Sequence, residues 1–263
     1  MFIAVGRQIR ETIKEILDLF ALVYIALKAS AGIFNPSHRS LFMSRFKHHL
    51  YYAGVKTLYI VMVISVLLGA LLVSQLQGIT DGKSFVDAYA WLYVIFIVRE
   101  LAPLICGIIL IGRSASAITA EISYLKISNE FDVLRGLGID PVFIFLVPVF
   151  LAFPIVLLLM LIYFDTFSIL AGYLMVSLLD PSHNNFVEFV TAIITKISYT
   201  EAMVTILKGV IGGFFIGIIS IYFGSKAGGR FSDMSKAISN ATTTQLIIFF
   251  LINVLLSVVA YGG

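Results

Sequence analysis

The sequence predicts an all-α integral membrane protein, on three observations. Of the 263 residues, 60% are hydrophobic and only 13% are charged. The mean hydropathy of the chain is +1.02. The apolar residues are gathered into five runs of membrane-spanning length, separated by polar segments. This composition excludes a soluble globular domain, and the single cysteine, Cys106, excludes a disulfide framework or a multi-cysteine metal site within one chain.

The first predicted element is an amphipathic helix over residues 3–30 that lies at the membrane surface. Its apolar residues recur at helical spacing, and its charged residues fall on the other face. The unbroken apolar part, residues 19–27, is too short to span a bilayer. A signal peptide is the alternative, since Ala29-Ser30-Ala31 resembles a cleavage site, but such peptides rarely carry the acidic residues found here: Glu11, Glu15 and Asp18.

Five transmembrane helices are predicted after it, over residues 57–76, 85–112, 142–164, 199–224 and 245–261. Pro103 is expected to kink the second helix. Asp165 interrupts the third apolar run, so residues 166–179 are expected either to extend that helix or to form a partial helix at the far surface. Residues 180–196 and 225–243 are polar and are predicted to be loops.

Basic residues orient these helices. Fourteen of the 18 Lys and Arg residues lie in the N-terminal region, after the second span or before the fifth, whereas the opposite loops carry only Lys83 and Lys196. The positive-inside rule therefore predicts a cytoplasmic N-terminus and a C-terminus on the outer side.

Three charges lie near mid-depth in the predicted spans. If the second span enters the membrane from the outer side near Tyr89, Arg99 is ten residues in, and if the fourth enters near Tyr199, Lys208 is nine residues in. Both then lie roughly 14–15 Å deep at the helical rise. Glu100 is adjacent to Arg99. Intramembrane charges cost about 2.5–3.5 kcal/mol each on insertion scales, which makes a functional site the default hypothesis. The residues could form a structural ion pair, or they could hold an anionic headgroup in an apolar cavity.

A short amphipathic helix is predicted over residues 127–138, between the second and third spans. Ser128 is a plausible N-cap, and Gly136 and Gly138 end the helix. Phe131, Leu134 and Leu137 form its apolar face. Such a helix on the cytoplasmic side suits docking to a soluble partner; the alternative is a helix that lies on lipid headgroups.

No pattern in the sequence indicates a catalytic, metal or nucleotide site of its own. Residues 78–84 read GITDGKS, one residue short between the glycines of a P-loop, and they lie between two spans. The four histidines show no metal-ligand spacing. We therefore expect a chain that is not an enzyme, holds no cofactor and binds no nucleic acid.

Residues 99–141 read RELAPLICGIILIGRSASAITAEISYLKISNEFDVLRGLGIDP. This run resembles the signature of the MlaE-type permeases, the membrane subunits of MCE-associated ABC lipid transporters, which show REL-G-P, AGR-GSA--AE and GIDP. The interfacial helix, the five spans and the ATTT-like entry to the last helix, residues 240–244, also fit that family. Ala102 departs from it, because the family usually has glycine there, but Arg99, Glu100 and Pro103 remain.

The resemblance implies a homodimer in the bacterial inner membrane, bound to two cytoplasmic ATPase subunits that carry the ATP. An MCE-domain protein on the outer face would exchange phospholipid with the dimer cavity. Segment 127–138 would be the coupling helix, and Arg99, Glu100 and Lys208 match charged cavity positions. Residues assigned to ATPase coupling are Glu121, Ser128, Glu130, Phe131, Leu134 and Leu137, and those assigned to an acyl-chain wall are Leu68, Leu72, Val73 and Leu76.

A proton-coupled secondary carrier is the alternative function. In that case Glu100 would be the proton site, and transport would run on a proton gradient without an ATPase. An intramembrane enzyme is a third class, for which the sequence offers no nucleophile and base.

Overall fold

The computed structural model describes residues 17–19, 21–26, 28, 36–76, 85–138, 140–179 and 185–261. Within these residues the regular structure is helical throughout, and five helices are long and apolar enough to cross a membrane. The predicted all-α integral membrane fold is therefore confirmed. The five spans are Phe42–Leu76, Ala88–Ile127, Val142–Leu179, Tyr199–Ser225 and Phe231–Tyr261.

After residue 28, ten α-helices build the described part of the chain. They are α1 (Pro36–His49), α2 (Leu58–Leu76), α3 (Phe85–Leu92), α4 (Ala102–Ile109), α5 (Ser116–Ile127), α6 (Glu130–Gly136), α7 (Val147–Leu179), α8 (Phe186–Lys196), α9 (Tyr199–Ser225) and α10 (Phe231–Tyr261). The first three spans also contain wider π-helical turns, at Leu50–Gly54, Tyr93–Leu101, Leu110–Ala115 and Val142–Leu146, and a 3₁₀ turn at Val55–Thr57.

The second span is one continuous helix from α3 to α5, although it contains Pro103. Proline lacks an N–H group and clashes with the preceding turn of an α-helix. Here Pro103 is the second residue of α4 and directly follows the π-helical turn Tyr93–Leu101. Since π-helical turns rearrange the backbone hydrogen bonds at that point, the chain accommodates the proline without ending the helix.

The third span continues through Asp165 to Leu179. The main-chain oxygen of Asp165 accepts a hydrogen bond of 3.1 Å from the Tyr93 hydroxyl. Within a membrane, a continuous helix satisfies the hydrogen-bonding groups of its own backbone, whereas a break would leave some of them without partners. One acidic side chain is therefore tolerated more easily than a break in the helix. The structure thus shows the longer helix of the two alternatives for residues 166–179.

Two segments predicted to be loops are helical, so these predictions are wrong. Residues 186–196 form α8, whose N-cap Asn185 accepts a hydrogen bond from the Glu188 N–H and whose Phe189 and Ile193 are buried. Helix α10 begins at Phe231 rather than near residue 245. Residues 231–243 are polar by composition, whereas residues 186–196 are mostly apolar but too few to span a bilayer. Each segment buries an apolar stripe against the neighbouring spans.

Helix α6 is shorter than predicted, and Ser128 is not its N-cap. The Ser128 N–H donates to the Tyr124 oxygen at 2.9 Å, so Ser128 ends α5. Asn129 then adopts a left-handed conformation, with φ of 56°, and precedes α6 as its cap residue. Asparagine tolerates this conformation better than most residues, which explains why the chain turns there.

The described N-terminal residues 17–19, 21–26 and 28 are helical, and the rest of the predicted 3–30 helix lies outside the described residues. Ala26 is buried with Phe150 and Ile218. Asp18 forms an ion pair of 3.4 Å with Lys226. Partial burial lowers the pKa of Lys226, but its hydrogen bond to Tyr222 and its pairing with Asp18 outweigh this and raise the pKa above its ordinary value. This segment therefore packs on α7 and α9.

Small residues bring the spans into close contact. Gly209, Gly213 and Gly217 follow one another along α9, and all three face α7. The Phe249 ring of α10 lies between Gly107 and Gly212, where an added Cβ would collide with it. The glycine ridge of the fourth span therefore packs within this chain, as such ridges do in membrane helices.

Gly213→Ala tests the contact between α9 and α7. A Cβ at this position would meet backbone atoms of Pro154 and Phe153, which cannot move aside. We expect a loss of about 1–3 kcal/mol in the free energy of unfolding, the range for overpacked interiors. Thermal unfolding of the full chain in detergent measures it.

Gly112→Ala is the matched control for this variant. It lies on the second span, and nothing stands within 4 Å of the Cβ that it would add. Equal melting temperatures for Gly213→Ala and Gly112→Ala would show that α9 and α7 are not held together at this glycine.

Candidate functional site

The three charges that the sequence placed at one depth are in contact. The Lys208 ammonium lies 3.2 Å from Oε2 of Glu100 and donates a second hydrogen bond, of 2.6 Å, to the main-chain oxygen of Arg99. The Lys208 side chain is completely buried, whereas 35% of the Glu100 side chain is exposed. This ion pair joins the second span to the fourth.

The fifth span completes the surroundings of Glu100. The Ser257 hydroxyl lies 2.8 Å and 3.1 Å from the two carboxylate oxygens of Glu100, to which it donates. Glu100 thus receives an ammonium group and a hydroxyl group from two different helices. Charge-assisted hydrogen bonds of this kind are stronger than neutral ones, and they hold the carboxylate in one position.

Arg99 lies at the edge of this cluster. Its Nε donates to Oε1 of Glu100 at 3.3 Å, and its guanidinium carbon stands 3.0 Å from the centre of the Tyr261 ring. The side chain keeps 23% of its surface exposed. Stacking on an aromatic ring fixes a guanidinium while leaving its edge free to donate hydrogen bonds. Arg99 is therefore the cation of the cluster that an anionic group would meet first.

These contacts indicate different roles for Lys208 and Arg99. Lys208 is enclosed and already engaged by Glu100 and by a carbonyl group, so its position suits structural pairing. Arg99 is accessible and suits binding of a negatively charged ligand. We define the charge cluster as Arg99, Glu100, Lys208, Ser257 and Tyr261. The structure shows the ion pairs within it, and headgroup binding stays a prediction.

Ser257 and Tyr261 are not among the residues predicted from the sequence. A signal was present, because Asn253, Ser257 and Tyr261 are four residues apart and form a polar line on one face of an otherwise apolar helix. Asn253 is 1% exposed and donates through Nδ2 to the Phe249 oxygen.

The four residues predicted to form an acyl-chain wall differ in how far they are buried. Val73 is 0% exposed and Leu76 is 6% exposed, and both pack in the core of the chain. Leu68 and Leu72 are only partly buried against that core. Val73 and Leu76 are therefore enclosed within the single chain, whereas Leu68 and Leu72 keep part of their surface accessible. The assignment of all four residues to an acyl-chain wall stays a prediction.

The residues predicted for ATPase coupling fall into two groups, one packed against the core and one exposed. Phe131 packs on Phe145, with ring centroids 5.9 Å apart, and Leu134 also packs against the core of the chain. Leu137 is 69% exposed and Val133 is 61% exposed, and Glu130 is exposed beside them. The apolar residues in and just after α6 therefore lie on two sides, and the exposed side consists of Glu130, Val133 and Leu137.

Glu121 is separate from this exposed side. It lies on α5 and forms an ion pair of 3.7 Å with Arg45 of α1. Ser128 lies in the turn before α6 and is exposed. Among the residues that the structure describes, no group of three or more His, Cys, Asp or Glu side chains is placed to hold a metal ion.

Comparisons with known proteins agree with this architecture. A model of the family described as permease MlaE matches residues 46–259. A probable ABC transporter permease protein of Rickettsia typhi is 26% identical over 94% of this chain and 94% of its own length. The intermembrane phospholipid transport system permease protein MlaE of Haemophilus influenzae is 25% identical over 89% of this chain and 88% of its own length.

Lys208→Met tests the pairing within the charge cluster. Removing one partner of a polar interaction leaves the other unsatisfied, so we expect a loss of about 1–3 kcal/mol in the free energy of unfolding. The double variant Lys208→Met with Glu100→Gln removes the unpaired charge and should recover part of the loss. Melting temperatures in detergent measure both.

Lys126→Met serves as the control, because Lys126 is an exposed lysine near the end of α5, and it should leave the melting temperature unchanged. A double variant no more stable than Lys208→Met alone would show that Lys208 does not stabilise Glu100.

Proposed function

The chain belongs to the MlaE permease family, and from this membership we propose that it moves phospholipid as the membrane subunit of an ATP-driven transporter. The observation that carries the proposal is the charge cluster, which presents an accessible arginine inside an apolar membrane domain. A phospholipid combines a phosphate that such an arginine can bind with acyl chains that suit the surrounding apolar helices. The name of the Haemophilus influenzae relative refers to phospholipid transport, which supports the same substrate class.

In this proposal Arg99 binds the phosphate of the lipid. Lys208, Glu100 and Ser257 keep Arg99 in place, because they fix the adjacent carboxylate and the Arg99 carbonyl. Tyr261 supports the guanidinium from the other side. A site held in this way loses little side-chain entropy when the lipid arrives, which favours binding.

The second span provides a direct connection from this site to α6. One continuous helix runs from α3 through Arg99 to Ile127, and the α6 helix follows after a two-residue turn. We propose that a separate cytoplasmic ATPase docks on Glu130, Val133 and Leu137. ATP binding by that partner would then displace α6 and the second span together and change the surroundings of Arg99.

A homodimer is part of the proposal. The face of α10 that contains Leu251, Val254 and Val258 is apolar and exposed in the single chain. The charge cluster lies beside this face, because Ser257 and Tyr261 belong to the same helix. A second copy placed against α10 would enclose the two clusters in one apolar cavity.

The proposed location is the bacterial inner membrane, with the N-terminus in the cytoplasm. Basic residues of α1, α5 and the turn after α9 support this orientation through the positive-inside rule. The end of the molecule with α8 would then face outwards, where an MCE-domain protein would receive or deliver the lipid.

Arg99→Gln tests the binding role. In proteoliposomes that contain this chain, its ATPase and its MCE-domain partner, we expect ATP-dependent transfer of a fluorescent phospholipid to fall about tenfold, the effect of one charge-assisted hydrogen bond. The amount of assembled complex should not change. Arg230→Gln, which removes an exposed arginine between α9 and α10, is the charge-matched control.

Full transfer activity in both Arg99→Gln and Lys208→Ala would contradict headgroup binding by the cluster. Transfer that runs on a proton gradient without the ATPase would instead support the secondary carrier with Glu100 as its proton site.

Val133→Asp combined with Leu137→Asp tests the docking side of α6. Both side chains are exposed, so the fold should survive, whereas an acidic pair in an apolar contact should prevent co-purification of the ATPase. Val187→Asp on α8, at 69% exposure of the original side chain, makes the same kind of change at the opposite end and should retain the ATPase. Co-purification of the ATPase with the double variant would remove α6 from this role.

A further inference from the structure

A cleft of about 280 Å³ lies between the first and second spans, away from the charge cluster. Residues 48–53, from the end of α1 and the turn after it, form one wall. Residues 113–121, from the π-helical turn at Leu110–Ala115 and from α5, form the other. The described parts of the chain place three cationic side chains at or near this cleft: Arg45, Lys56 and Arg113.

The cleft lies at the polar boundary of the membrane domain. Helix α2 begins at Leu58, next to the cleft, and its 19 residues carry no charge. At the helical rise they extend roughly 28 Å, close to the about 30 Å of hydrocarbon in a bilayer. The cleft is therefore at the level of the headgroups in the leaflet at the basic end of the chain. Tyr51 and Tyr52 are half exposed beside it, as tyrosines at that level commonly are.

Arg113 is held in position at the wall of the cleft. Its guanidinium donates to the Thr57 hydroxyl, and that hydroxyl donates to the Ala53 oxygen at 2.8 Å. The arginine residue remains exposed on its other side. A guanidinium fixed by one hydrogen bond and open elsewhere can offer its remaining N–H groups in pairs to a phosphate.

His49 provides an independent sign that a polar ligand belongs there. The residue is 3% exposed and lines the cleft. Its Nε2 has no hydrogen-bond partner among the residues that the structure describes. Buried polar atoms without a partner are uncommon in proteins, and an acceptor from a ligand would satisfy this nitrogen when Nε2 carries the proton of the neutral ring.

The acid in the cleft does not oppose an anionic ligand. Glu121 is paired with Arg45 at 3.7 Å, and the Lys56 ammonium stands 4.0 Å from the centre of the Tyr52 ring, which lines the cleft. Cations therefore outnumber the acid around this space. Its chemistry suits a phosphate ester, and its level in the membrane favours a lipid as the source.

We propose that this cleft binds the phosphate group of a phospholipid from the leaflet at the basic end, through Arg113 and His49. It is distinct from the charge cluster, and it rests on the proposed function only for the choice of a phospholipid as ligand. In sequence position Arg113 follows Arg99 by fourteen residues on the same continuous span, so the two sites would lie about 21 Å apart along the helix.

The experiment is photo-crosslinking of the full chain in liposomes. The probe is phosphatidylglycerol with a photoreactive group at its headgroup, present at a low mole fraction in phosphatidylcholine. We expect labelled peptides from residues 48–53 and 113–121. Arg113→Gln should reduce this labelling about tenfold, the effect of one charge-assisted hydrogen bond, whereas the charge-matched Arg230→Gln should not.

Two further variants keep the result interpretable if Arg113→Gln does not fold. Thr57→Val leaves the charge of Arg113 but removes its anchor, and His49→Leu removes the unpartnered nitrogen; both should lower the labelling. Equal labelling in all variants, or labelling spread evenly over the spans, would overturn the proposal.

Competition with sn-glycerol 3-phosphate separates the two sources of a phosphate ester. Millimolar glycerol phosphate should leave the labelling unchanged if the lipid is the ligand. Complete competition would assign the cleft to a soluble phosphate ester and overturn the lipid proposal. Labelling needs neither ATP nor an ATPase, so a failure of the proposed transport function would not affect this result.

Discussion

The arrangement of the membrane domain depends on one constraint, the burial of the Lys208 ammonium among apolar helices. A charge without water or a counter-charge is costly in such surroundings. The structure meets this requirement with the Glu100 carboxylate and the Arg99 carbonyl, both from the second span. Because the fifth span adds Ser257 to the same carboxylate, three helices are fixed at one relative height.

The relative height of the helices does not determine how closely they pack. Small residues determine this distance. Gly213 lets α9 approach the backbone of α7, and Gly212 with Gly107 makes room for the Phe249 ring. Gln245 adds a third condition, since its amide donates to the Ile216 oxygen at 2.9 Å and to Ser220 at 2.7 Å. Charge, glycine spacing and a buried amide thus set the height, distance and rotation of α9 and α10.

Much of this fold can be predicted from the sequence because apolar length and the cost of buried charge act locally. They predict the five spans and the common depth of Arg99 and Lys208. Features that depend on tertiary contact are missed. Helix α8 is too short for a span and the start of α10 is polar, so the sequence does not show the packing that stabilises each of them. The same limit applies to the site, since Ser257 acquires its role only through contact with Glu100.

The π-helical turns of the second span affect how its parts are rotated about the helix axis. Successive residues of an α-helix are about 100° apart around the axis, and a π-helical turn closes its hydrogen bonds over one extra residue. Two such turns, Tyr93–Leu101 and Leu110–Ala115, stand on either side of α4. If one turn tightened to α-helical geometry while the other widened, α4 would swivel by up to about that angle relative to both ends of its span. The two π-helical turns thus divide the second span into three α-helical parts, and they set the rotation of α4 relative to α3 and α5.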